Sequence, residues 1–168
     1  MYTMNLDHVN YSFVDNVTQI PVYTGDCLYV CDLDDTLLKQ YYIFNKKGIK
    51  LSSGKTIYRR EVTGLHHPDI PQWMSIIPHL IYLTARDQSS FNQTVNDLVE
   101  NNLRYAPIIF SQQKGHALKA YLDKSPIIFD KVIFIDDKDY NIRQVKVVNP
   151  NVECYRVAPQ VVKKHFVN

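Results

Sequence analysis

The chain has 168 residues, 45% of them hydrophobic and 21% charged, with a formal net charge of +2. That length suits one domain with one core and excludes two ordinary domains; the composition excludes long disordered tracts. The small charge does not by itself indicate nucleic-acid binding, and no apolar run approaches the roughly 20 residues that span a bilayer.

In chain order, residues 1–26 read as an extension that packs against the edge of a single domain covering 1–168, with Gly25-Asp26 as a turn signal. Met1 to Asn10 lack the basic start and apolar core of a signal peptide, so a cytoplasmic location is expected, with no membrane partner. Cys27, Cys31 and Cys154 have no zinc-ligand spacing, and Cys31 reads as a small buried hydrophobe.

Four near-continuous apolar runs follow: Leu28–Cys31, His79–Leu83, Pro107–Phe110 and Val132–Ile135, with a weaker fifth at Glu153–Val157. Continuous rather than alternating runs suit strands buried on both faces of a parallel sheet. Helical patterns lie between them. Ser89-Ser90 is expected to cap a helix from Phe91 to about Asn102, with Phe91, Val95, Leu98 and Val99 on its apolar face. Lys114–Leu122, with Ala117, Leu118 and Tyr121 inward, and Asp139–Val145 read as two more. Alternation of this kind implies right-handed crossovers and a doubly wound, Rossmann-like α/β sheet, with ligands at the carboxyl ends of its strands.

Between the first two strands, about residues 41–63 read as a flap, with Ile49–Leu51 and Thr56–Tyr58 forming a hairpin about Ser52-Ser53-Gly54-Lys55. The segment is too short for a large cap domain. One short helix is expected around Gln72–Ile76, closed by Pro78. The flap is basic, with Lys46, Lys47, Lys50, Lys55, Arg59 and Arg60 against Glu61. Two readings stand: a solvated hairpin edge, or steering of an anionic substrate. Tyr41, Tyr42, Phe44 and Tyr58 are either hairpin packing or a stacking surface. His66-His67 reads as loop, since adjacent residues on an extended segment face opposite ways; His116 is close enough to Lys114 for a substrate contact.

The strand ends collect reactive groups. Asp32, Asp34, Asp35 and Thr36 follow the first strand, Thr84 and Arg86 the second, Lys114 comes soon after the third, and Asp136-Asp137 follow the fourth. Carboxylates gathered at one rim repel each other unless a cation or proton intervenes. A hard divalent ion with oxygen ligands, magnesium above all, answers that need. One carboxylate can then attack phosphorus, a second can move protons, and a hydroxyl and an ammonium can hold the phosphoryl oxygens.

In these residues the chain resembles the haloacid dehalogenase superfamily of phosphotransferases. Asp32-Leu33-Asp34-Asp35-Thr36 matches that family's D-x-D-x-T; Thr84 matches its strand-ending Ser or Thr, Lys114 its lysine, and Asp136-Asp137 its acidic pair, in family order. The resemblance implies a capless or small-flap phosphatase with an aspartyl-phosphate intermediate. Asp32 would be nucleophile and metal ligand, and Asp34 general acid/base with its backbone carbonyl on Mg2+. Thr84 and Lys114 would bind the transferring phosphoryl group, and Arg86 the substrate. Asp137 would be the carboxylate metal ligand and Asp136 its support, an assignment that could be reversed. The implied partner is a phosphorylated substrate: with an open site, a phosphoprotein or nucleic-acid end, the alternative being a nucleotide or sugar phosphate. A metal-dependent nuclease would explain the acids without Thr84 and Lys114. A receiver domain would need its lysine last, and a catalytically inactive phospho-binding module would not need all four motifs.

Overall fold

The computed structural model describes residues 9–45, 49–50, 56–57, 59–158 and 164–167. At its centre is a six-stranded sheet: β1 (Ser12–Val14), β2 (Cys27–Cys31), β7 (His79–Thr84), β8 (Ile108–Phe110), β9 (Lys131–Asp136) and β10 (Glu153–Val157). They lie in the order β1-β10-β9-β2-β7-β8, and every pairing is parallel. Helices α1 (Ile70–Ile76), α2 (Phe91–Glu100), α3 (Lys114–Lys124) and α4 (Asp139–Val148) join the strands. The protein is therefore an α/β structure of Rossmann-like form, with a parallel sheet flanked by helices.

The apolar runs explain the layering. Successive β2 side chains point to opposite faces, and all five are buried. Cys27, Tyr29 and Cys31 join Trp73, Met74 and Leu98 beneath α1 and α2. Leu28 and Val30 join Phe134, Leu118, Ile142 and Val145 beneath α3 and α4. Each such aliphatic side chain contributes about 1.5–3 kcal/mol by leaving water. No helix among the described residues is long and apolar enough to cross a membrane.

Residues 12–14 do more than lean on the edge. β1 adds a sixth strand, with Phe13 opposite Arg156 in register. α1 has proline at its start and ends at Ile76; Ile77 is extended, the conformation favoured before a proline such as Pro78. Two expectations for α2 are corrected. Ser90 makes no side-chain cap; Asp87 instead caps the short 3-10 turn at Gln88–Ser90, accepting from the Ser89 N–H at 2.9 Å. The apolar face is also different: Phe91 and Val99 are 50% and 68% exposed, while Thr94 and Asp97 are buried with Leu98. The polar pair turns inward because it has a partner there, Arg86.

The flap leaves the main sheet. β3 (Leu38–Asn45) pairs antiparallel with β6 (Arg59–Leu65), with a register shift between Lys39 and Gln40. β11 (Lys164–Val167) runs parallel to β3 on its other side. In a separate two-stranded sheet, β4 (Ile49–Lys50) pairs antiparallel with β5 (Thr56–Ile57). The turn at 52–55 and the basic and aromatic flap side chains from Tyr41 to Glu61 lie outside what the structure describes.

Candidate active site

β2 delivers Asp32 to the carboxyl rim, and the Asp32 N–H extends the ladder by donating to Ile135 at 3.0 Å. The chain then folds back tightly. The Leu33 carbonyl accepts from the N–H groups of Thr36, Leu37 and Leu38 at 3.3, 2.9 and 3.0 Å. Asp35 takes φ of +64°, a left-handed conformation that short Asp side chains tolerate better than most. The turn brings the Thr36 hydroxyl back over Asp32, to which it donates at 3.1 Å, and within 3.4 Å of Asp137 Oδ1.

Lys114, at the first position of α3, is 1% exposed. Its ammonium donates to Asp32 Oδ1 at 2.8 Å and Asp136 Oδ2 at 2.7 Å. Gly115 lets α3 approach closely enough: a Cβ there would lie 2.4 Å from the Gln144 carbonyl oxygen of α4. Asp136 and Asp137 end β9 and start the loop into α4. Asp136 is wholly buried. Besides Lys114 it accepts from the Lys138 N–H at 2.9 Å and from Asn141 Nδ2 at 3.2 and 3.1 Å. Asp137 carries no comparable set of donors. Its carboxylate lies against Asp32 and meets the Thr36 hydroxyl at 3.4 Å and the half-exposed Lys138 ammonium at 3.9 Å.

Carboxylate oxygens of Asp32, Asp136 and Asp137 all lie within 4.8 Å of one another, so this set can hold a metal ion. Three carboxylates face one buried ammonium, an excess of negative charge in a poorly hydrated place. Burial first, and then the Asp136 charge, push the Asp32 carboxyl well above its usual range despite Lys114. The same two causes raise Asp137. Burial alone would lower Lys114, but Asp32 and Asp136 outweigh it and hold the ammonium above the ordinary lysine value. An all-oxygen set with surplus negative charge fits a hard divalent cation.

A second cluster adjoins the first. Arg86 Nε and Nη2 donate to the two oxygens of Asp34 at 2.9 and 2.6 Å. Arg86 Nη1 donates to buried Asp97 at 2.8 Å and to Thr94 at 3.1 Å. These carboxylates hold the guanidinium more firmly protonated although burial opposes it. Thr84, 1% exposed, accepts from the Arg86 N–H at 3.1 Å through its hydroxyl oxygen, so its own proton is left to donate.

Of the residues singled out by sequence, Asp32, Lys114, Asp136 and Asp137 come together directly. Asp34 and Arg86 pair with each other, and Thr84 joins them through the Arg86 backbone. Sequence reasoning gave no role to Thr36, Asn141, Thr94 or Asp97. Only Thr36 carried a signal, lying four positions beyond Asp32 in the same turn.

One protein-family profile matches the chain, that of "Protein of unknown function (DUF2608)", over residues 84–151. The match runs from Thr84 through Lys114, Asp136 and Asp137, covers less than half of the chain, and omits Asp32 and Asp34. No curated protein and no solved structure matches.

Proposed function

We propose that the protein is a magnesium-dependent phosphohydrolase of the haloacid dehalogenase type, acting on a phosphomonoester through an aspartyl phosphate. The observation that carries this reading is Lys114, buried and bonded to both Asp32 and Asp136 beside Asp137. A nuclease built on acids and metal alone has no use for an ammonium buried at the centre of its acids. A phosphoryl-transfer site does, because three phosphoryl oxygens need donors as charge moves.

In this reading the Asp32 carboxylate attacks phosphorus. Its oxygens already accept from Lys114 and Thr36, which aim the carboxylate, and each oxygen retains a further lone pair. Asp34 would have to enter this step as the carboxylic acid, with one oxygen released from Arg86; it then gives its proton to the leaving alkoxide, and the phosphoryl group rests on Asp32 as an acyl phosphate. Asp34 then removes a proton from water, which releases inorganic phosphate and regenerates Asp32. Lys114 and the Thr84 hydroxyl donate to the phosphoryl oxygens throughout. Asp32, Asp137 and the Asp34 backbone carbonyl would hold Mg2+, with Asp136 spent on orienting Lys114 and the following loop. The bound ion would offset negative charge shared between carboxylates and phosphate.

Hydrolysis of p-nitrophenyl phosphate tests the proposal. Turnover is expected with magnesium, is lost with EDTA, and is lost in Asp32→Asn. Magnesium-dependent turnover that survives Asp32→Asn would overturn it.

A further inference from the structure

Asp97 is buried on the inner face of α2. A carboxylate in such a place is costly unless it is paired and hydrogen-bonded, and Asp97 is both. Its Oδ2 accepts from Arg86 Nη1 at 2.8 Å, and its Oδ1 accepts from Gln93 Nε2, one helical turn earlier, at 2.9 Å. Its backbone carbonyl accepts from Asn101 Nδ2 at 2.7 Å. Thr94, wholly buried on the same face, offers Nη1 a second acceptor at 3.1 Å.

Arg86 divides its donors between two elements. Both N–H bonds of Nη1 go to α2, while Nε and one N–H of Nη2 go to Asp34. Among the described contacts, one Nη2 N–H is left over, so little of the guanidinium remains to grip a substrate phosphate. One guanidinium also faces two carboxylates, where a simple ion pair has one. For packing alone, apolar residues at positions 94 and 97 would serve α2 as well or better, since hydrophobes in place of a buried ion pair are often neutral or stabilising.

We infer that Asp97, assisted by Thr94, is a positioning residue for Asp34, acting through Arg86; the role rests on the phosphatase reading above. In that reading an oxygen of Asp34 leaves Arg86 and turns to the leaving group. A guanidinium held by Asp34 alone would be left without a counter-charge and free to follow. Anchored at Nη1 by α2, it keeps both its place and a partner. The remaining bond from Arg86 then fixes the direction in which the Asp34 carboxyl group points. Asp97 touches no reacting atom; it sets where one group that does is aimed.

The dependence of rate on the leaving group tests this. p-Nitrophenolate is a stable anion that departs without a proton, whereas phenolate, of nearly the same shape, needs one. The ratio kcat/KM reports the steps up to the acyl phosphate, where Asp34 serves as acid. Asp97→Ala is expected to lower kcat/KM for phenyl phosphate about tenfold to a hundredfold, the scale of a slightly misplaced group, and to leave that for p-nitrophenyl phosphate nearly unchanged. The kcat values should fall on both esters, because Asp34 serves again as the base towards water. Asp97→Asn keeps an acceptor for Nη1 and should recover part of the loss. Arg86 retains Asp34 in both variants, so both should fold, and thermal melts check this; where Asp97→Ala does not fold, Asp97→Asn is read by the same ratio. Equal losses of kcat/KM on the two esters would assign Asp97 to stability alone and overturn the inference while the phosphatase reading stands. Wild type that hydrolyses neither ester with magnesium overturns that reading, and this inference with it.

Discussion

Arg86 holds Asp34 by both carboxylate oxygens, at 2.9 and 2.6 Å, across 52 positions of the chain. The same guanidinium reaches Asp97, 5% exposed, on the inner face of α2. A carboxylate two residues from the candidate nucleophile is thus oriented by a fork whose other tine is anchored inside a helix. Such two-point geometry fixes direction as well as charge.

Arg86→Met should therefore cost stability as well as turnover. It leaves Asp97 charged and buried without its partner, a loss of about 3–5 kcal/mol. The double variant Arg86→Met/Asp97→Leu should recover part of that stability but not the activity, because Asp34 remains without its clamp. Urea unfolding, run beside the p-nitrophenyl phosphate assay, separates the two effects.

Lys114→Met should be severe for a different reason. Asp32 and Asp136 lose the ammonium between them, again about 3–5 kcal/mol for one partner removed from a buried pair. Magnesium should restore more stability to this variant than to wild type, because more uncompensated charge awaits it. Unfolding curves with and without the ion, at matched ionic strength, check the order.

Magnesium should also raise the melting temperature of the wild type. An ion bound only by the folded state adds about 2.7 kcal/mol at a hundred times its dissociation constant. Asp137→Asn should remove most of that increment, since Asp137 has few other partners. Asp139→Asn, whose carboxylate is committed to Tyr11 and Arg143 at 2.6 Å each, should leave the increment largely in place. Thermal melts across a magnesium titration read both.

Gly115→Ala pushes a methyl group into backbone. The added carbon would lie 2.4 Å from the Gln144 oxygen and 3.1 Å from a Val148 methyl, so α3 has to move off α4. Overpacking of this kind costs about 1–3 kcal/mol. Because Lys114 is the preceding residue, kcat should fall by more than the stability change explains.

Alkaline pH should weaken the fold through Tyr29. Burial pushes its phenol from the ordinary 10.0 up to about 12. Its hydroxyl donates to the Pro21 carbonyl at 2.7 Å and accepts from the Tyr23 N–H at 2.9 Å. The folded state keeps the proton that the unfolded chain surrenders first, so this stabilisation is complete below pH 10 and is lost as pH rises towards 12. Tyr82 and Tyr155 are raised by burial too, so Tyr29→Phe should shallow the alkaline loss without abolishing it. Stability measured from pH 8 to 12 gives the slope.

The parallel strands were legible because a strand buried on both faces reads as an apolar run, and Glu153–Val157 ends where its pattern ends. The rim was legible because reactive residues follow those runs directly. β1 was not: it is three residues long, and Phe13 is 65% exposed, so no burial pattern marks it. The inner face of α2 was misread because Thr94 and Asp97 are buried by a distant arginine rather than by apolarity. Asn141 and Asp136 meet only once α4 turns, a contact that composition and spacing do not announce.

The turn after Asp32 has a mechanical side. Leu37 and Leu38 are wholly buried, the Leu37 carbonyl accepts from the His66 N–H at 2.8 Å, and the Leu38 carbonyl accepts from Asp35 at 2.8 Å. Both legs of the flap are thus rooted in the backbone that presents the candidate nucleophile. The flap is a cantilever: its wall is the rim that carries the candidate site, and the first irregularity along it is the bulge at Lys39/Gln40. A shift of either leg at its root would reach the turn that carries Asp32 directly.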